Sequence, residues 1–126
     1  MSVSEGRAKK LRAVRRGRMA ELLCLWHLRL RGWRILARDY RVTSGEIDLI
    51  ARRGKWLIAV EVKARPTVAD ASEAISFRQR RRILRATEHF LARHPHFAQL
   101  TLRFDMMLVL PGRLPRHLPD AWRLDD

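Results

Sequence analysis

The chain has 126 residues, 47% of them hydrophobic, and carries 27 Lys and Arg against 13 Asp and Glu, a formal net charge of +14. That length holds one domain with a modest core, and that hydrophobic share excludes a disordered chain. The cationic excess is mostly arginine and points to a polyanionic partner, nucleic acid before an anionic membrane surface. The single Cys24 excludes an intrachain disulfide and fits a reducing compartment.

Residues 1–16 read as a basic arm with little apolar periodicity, residues 17–112 as one domain, and residues 113–126 as an irregular tail that docks Trp122. From Gly17 to Arg31 the pattern is helical. Ala20, Leu23, Trp26 or His27, and Leu30 fall on one stripe, which Leu22, Leu25 and Leu28 widen. Gly32 stands where a glycine ends a helix. Arg18, Glu21, His27 and Arg29 break this segment too often for a signal peptide, and no window approaches the roughly 18–20 apolar residues that span a bilayer. A cytoplasmic protein without a membrane partner is expected.

Trp33 to Val42 reads as a strand and Thr43-Ser44-Gly45 as a turn. Glu46–Arg52 and Trp56–Ala64 are two further strands around Arg53-Gly54-Lys55, the second stopped by Pro66. Ser72 is the expected N-cap of a helix running to about Arg93, before His94-Pro95. Leu100 to Leu110 is a fourth strand, and Pro111, Pro115 and Pro119 make the tail irregular. The order helix, three strands, helix, strand predicts a compact α/β domain, a meander covered by helices.

Strand side chains alternate, so parity decides which groups of the second and third strands share a face. An even-numbered turn puts Ile47, Leu49, Ile58, Val60 and Val62 on an apolar face. The opposite face collects Glu46, Asp48, Ala59, Glu61 and Lys63. The plain alternative is cross-strand salt bridging on a wet face, each pair worth only ~0.2–1 kcal/mol. Against it stand a surplus of acids and the space that Ala59 leaves beside them. Crowded carboxylates need a compensating cation or proton, and Mg²⁺ or Mn²⁺ suits hard oxygen ligands.

Elsewhere the residues carry less. Glu21 has Cys24, Leu25 and Leu28 at helical spacing, an apolar face for an acid, so it points toward something that needs it. Gln79 extends the inward stripe of Ile83, Thr87 and Phe90. His94 and His96 read as helix-end histidines, Cys24 as a small core residue, and the four tryptophans as core and edge packing.

GEIDLIAR followed by VEVKAR, with Gly17-Arg18-Met19-Ala20-Glu21, Gly32-Trp33-Arg34-Ile35-Leu36, Arg78-Gln79-Arg80-Arg81 and Arg103-Phe104-Asp105, resembles the YraN-like family of bacterial proteins. That family is related to the PD-(D/E)xK restriction-endonuclease-like superfamily and its Holliday-junction-resolvase branches. The resemblance implies an αβββαβ core, a central mixed sheet flanked by helices. It implies Asp48 as the motif aspartate, preceded here by Ile47 instead of proline, and Glu61-Val62-Lys63 as the (D/E)xK element. Glu21 matches an additional acid and Gln79 a polar position on the second helix.

The expected catalytic set is therefore Asp48, Glu61, Lys63, Glu21 and Gln79, with Asp48, Glu61, Glu21 and Glu46 toward Mg²⁺ or Mn²⁺. Arg15, Arg16, Arg18, Arg78, Arg80, Arg81 and Arg82 are the expected phosphate contacts. The leading function is metal-dependent hydrolysis of DNA phosphodiesters, with branched or otherwise non-standard DNA as substrate, RNA left open, and a homodimer compatible with such chemistry. The competing readings are a nucleic-acid-binding module of the same fold with little or no turnover, and a scaffold contacting RNA, a ribosome or a partner protein.

Overall fold

A computed structural model of the chain describes residues 3–67 and 75–124, the side chains of 3–5, 8, 9 and 11–16 excepted. Its elements are α1 (Val3–Leu30), β1 (Arg34–Val42), β2 (Gly45–Arg53), β3 (Trp56–Ala64), α2 (Phe77–Arg93), β4 (Thr101–Val109) and β5 (Arg116–Trp122). The helix expected from Gly17 thus begins at Val3. The stretch before Gly17 is rich in Ala, Lys and Arg, whose propensity extends a helix without any apolar stripe. Gly32 ends α1 as expected, at φ 89°.

Thr43-Ser44 and Gly54-Lys55 form two-residue turns, so β1, β2 and β3 are an antiparallel meander with the even-turn parity anticipated between β2 and β3. α2 then crosses over and returns the chain as β4, parallel to β3 from Trp56↔Thr101 to Ala64↔Val109. The helix does not start at Ser72, which lies outside the described residues. Its N-cap is Ser76, whose Oγ accepts the Gln79 backbone N–H at 3.2 Å.

The tail corrects the expectation of irregular structure: β5 pairs antiparallel with β4 and completes a mixed sheet in the order β1-β2-β3-β4-β5. Prolines flank or sit within it, which an edge strand tolerates. What holds it is Asp105, fully buried on β4. That carboxylate accepts two bonds from Arg103 at 2.8 Å, the Asp120 backbone N–H at 2.9 Å, and His117 Nε2 at 2.7 Å. Trp122 docks as expected, stacked on Phe104 with ring centroids 4.0 Å apart.

Helices cover both faces of the sheet. On one side Ala20, Cys24, Leu25 and Leu28 of α1 pack on Leu49, Ala51, Ile58, Val60 and Met107. On the other, Ile83, Ala86 and Phe90 of α2 pack on Ile47, Ile50, Leu57 and Ala59. Two expectations change here. Ala59 is 2% exposed and part of this second core, so it leaves no space beside the acids. The C-terminal part of α1, from Met19 to Leu30, is apolar nearly all round, so periodicity does not choose its buried face: Leu22, Leu23, Trp26 and Leu30 are exposed. The tryptophans therefore divide, with Trp33 and Trp122 buried and Trp26 on the surface. Among the described residues no helix is long and apolar enough to cross a membrane.

α2 meets the sheet at unusually short range. A Cβ built on Gly45 would lie 1.9 Å from the Arg82 carbonyl oxygen, so only glycine lets the start of β2 pass beneath the helix.

Candidate active site

Alternation along β1 and β2 is interrupted at facing positions. Arg38 lines a cleft with Leu22 and Leu25 of α1, whereas Tyr40 packs edge-on against Phe90 of α2. Between them Asp39 sits at φ 48°, a left-handed conformation that turns the strand. Across the ladder, Leu49 faces α1 while Ile47 faces α2. Asp48 stands at that reversal. Strict parity placed it on one polar face with Glu61 and Lys63; instead the kink sends it toward Glu21 on α1 and, sideways, to β3.

The β2–β3 register runs from Arg53↔Trp56 to Leu49↔Val60. Beyond it the Asp48 carboxylate accepts the Val62 backbone N–H at 2.7 Å, so a side chain occupies the place of the next rung. This fixes Asp48 beside Glu61. Side-chain hydrogen bonds join Glu21 to Asp48 and Asp48 to Glu61, linking three carboxyl groups from three elements.

Their acidity reflects the crowding. Burial, then the charge of Asp48, pushes Glu21 up to about 7. Burial and the neighbouring Glu61 push Asp48 up to about 7, against the opposing Val62 N–H. Burial likewise raises Glu61 to about 7, opposed by its hydrogen bond with Asp48 and by the ammonium of Lys63. Lys63 is itself buried, at 5% exposure. Gln79, from the first turn of α2, donates Nε2 to Glu61 Oε1 at 2.5 Å. Five expected residues thus converge: Glu21, Asp48, Glu61, Lys63 and Gln79.

Glu46 is exposed, opposite Arg41, and reaches the group only through its charge on Glu61. Cys24 is buried, and burial with the charges of Asp48 and Glu21 pushes its thiol up to about 12, which suits a packing residue and not a nucleophile.

Among the described residues no group of three or more His, Cys, Asp or Glu is arranged to hold a metal ion. Mg²⁺ differs from ions that need an all-protein cage, because one or two carboxylates plus a substrate phosphate suffice for it. Asp48 and Glu61, crowded and short of positive charge, fit that mode.

The expected phosphate contacts divide. Arg78, Arg81 and Arg82 line a cleft with Thr43, Ser44, Phe77 and Arg85. Arg80 is half-buried and donates Nε to the Ile75 carbonyl at 3.1 Å. Arg18 is exposed on α1, and the side chains of Arg15 and Arg16 lie outside those described. Sequence reasoning passed over Phe77, Thr43 and Ser44, although the spacing of Phe77, Arg81 and Arg85 marks one helix face.

A meander whose second and third strands part around carboxylates, a crossover helix supplying Gln79 and a parallel fourth strand define a restriction-endonuclease-like core. Residues 20–109 match the uncharacterised protein family UPF0102. The chain belongs to that family, and the YraN-like resemblance is borne out. It is 53% identical over 116 residues to a UPF0102 protein of Parvibaculum lavamentivorans, covering 92% of this chain and 87% of that one. A UPF0102 protein of Chelativorans sp. is 48% identical over 119 residues, covering 94% and 96%. One from Paramagnetospirillum magneticum is 51% identical over 117 residues, covering 90% and 91%.

Proposed function

We propose that the chain is a metal-dependent nuclease that hydrolyses phosphodiester bonds of DNA in the cytoplasm, with branched or otherwise non-standard DNA as its substrate. The observation that carries this reading is the series Glu21–Asp48–Glu61 with buried Lys63 beside it, in a chain of net charge +14. Asp48 and Glu61 would hold Mg²⁺ or Mn²⁺, which supplies polarisation of the scissile phosphate and a more acidic bound water.

The chain's own residues do the rest. The Val62 N–H and Glu21 fix the Asp48 carboxylate, and Gln79 fixes that of Glu61, so neither must reorganise as charge develops. Lys63 orients the attacking water and offsets negative charge growing on the phosphate. A water oxygen bonds to phosphorus and gives up a proton to solvent, the bond from phosphorus to the departing sugar oxygen breaks, and that oxygen takes up a proton from solvent. The arginines of α2 would hold flanking phosphates by charge, with no sequence preference.

The test is incubation of purified protein with Mg²⁺ or Mn²⁺ and labelled duplex, single-stranded, flap and four-way-junction DNA, beside Asp48→Ala and Lys63→Ala. Metal-dependent cutting lost in both variants supports the nuclease. Cutting retained in both indicates a contaminant and removes the assignment. Salt-sensitive binding without cutting, unchanged in either variant, identifies a binding module instead.

A further inference from the structure

Phe77 opens α2 and is 66% exposed, an apolar residue that packs into neither core. A lone surface aromatic needs no explanation. This one has company. The Arg81 guanidinium lies over the ring, 5.8 Å from its centroid. Arg78 and Arg85 share the same cleft, whose opposite wall is Thr43 and Ser44 of the β1–β2 turn. A flat aromatic, a planar cation over it, further arginines and two hydroxyls match the chemistry of a single nucleic-acid strand. Bases stack on such rings regardless of sequence, and the cations track the backbone.

The cleft's position gives it a role. Ser44 precedes Asp48 by four residues of strand, about 13 Å at the usual rise, which is the length of a few stacked nucleotides. The floor is fixed, because Gly45 holds the turn against the α2 backbone.

We infer that this cleft binds an unpaired stretch of the substrate strand beside the scissile phosphate, one base stacking on Phe77 while Arg78, Arg81 and Arg85 take the adjoining phosphates. The inference rests on the nuclease reading and narrows it. The substrate class is nucleic acid with a single-stranded segment next to the cut, such as a flap, gap or opened junction arm. A fully paired duplex would present only phosphates here, with no free base for the ring.

The test separates this subsite from the chemistry by measuring binding in chelator, where no cutting occurs. Anisotropy of labelled ten-nucleotide oligothymidylate and of a blunt duplex of matched charge is followed for the full chain, Phe77→Ala, Phe77→Trp and Arg81→Ala, with polyglutamate as competitor. Phe77→Ala is expected to weaken oligothymidylate binding roughly 5- to 150-fold, the span of one lost base stack, with duplex binding nearly unchanged and Phe77→Trp close to the parent. Phe77 is exposed, so the melting temperature of each variant should stay at the parent value and exclude misfolding.

Equal losses on both nucleic acids, or none on either, overturn the subsite. Displacement by polyglutamate at concentrations where oligothymidylate also displaces the probe reassigns the cleft to acidic peptides. If cutting is never observed but the Phe77 discrimination holds, the subsite stands and the nuclease reading falls. If cutting is observed and Phe77→Ala treats flap and duplex alike, the subsite alone falls.

Discussion

Asp48, Glu21 and Glu61 come from a strand, a helix and a second strand, yet each is raised to about 7. In the unfolded chain such groups titrate near 4. Between about pH 4 and 7 the folded protein therefore binds more protons than the unfolded one, so stability falls as pH rises through that window. In chelator, the melting temperature should drop between about pH 4 and 7. Asp48→Asn should flatten that drop, since an amide oxygen still accepts the Val62 N–H without adding a charge. A parent melting temperature that climbs over the same range would contradict the coupling of the three acids. Asp105 acts with the opposite sign. Burial alone would raise it, but His117, Arg103 and the Asp120 N–H outweigh that and hold it below the usual range. Its contribution is complete above its ordinary pKa and disappears as pH falls through the lowered one. The identity of the acids was legible in GEIDLIAR and VEVKAR, and that of Gln79 in its helical stripe. The direction of Asp48 was not, because period-two alternation assumes an extended strand and Asp39 is left-handed.

Among the elements, α2 is the one whose placement sets the site, and Gly45 sets α2. Gly45→Ala should force either the strand or the helix to move, because the group 1.9 Å away is backbone and not a flexible side chain. The expected cost is about 1–3 kcal/mol, read from the urea midpoint. The same displacement should lengthen the Gln79–Glu61 contact and reduce any activity beyond what the stability loss explains. An unchanged midpoint would mean that the approach of β2 to α2 is looser than described. The central strands were legible because β2 alternates acids with apolar residues from Glu46 to Leu49 and β3 opens on an apolar run from Trp56 to Val60, each between turn residues. The two chain ends were not. A helix of arginine and lysine has no apolar stripe to announce it, and β5 is held by a buried carboxylate on another strand, which no local pattern in residues 116–122 encodes.

The whole molecule is a cationic body of net charge +14 with a small acidic interior site. Binding of duplex DNA should therefore weaken steeply with salt, the logarithmic slope losing roughly 0.9 for each phosphate contact removed. Arg78→Ala and Arg85→Ala should each shallow that slope by about one, measured by anisotropy across a salt series, while a substitution at half-buried Arg80 should change it less. Equal slopes in all three would place the contact surface elsewhere. The site within this body has a property of its own. A hydrogen bond between two carboxyl groups exists only if one of them keeps its proton, so the series Glu21–Asp48–Glu61, each raised to about 7, holds two on the acid side of neutrality. Two protons and one divalent cation carry the same charge. If the proposed ion enters by displacing them, the filled and unfilled proteins present an identical field to a nucleic acid, and the exchange is recorded only in the surrounding solution, which turns more acid.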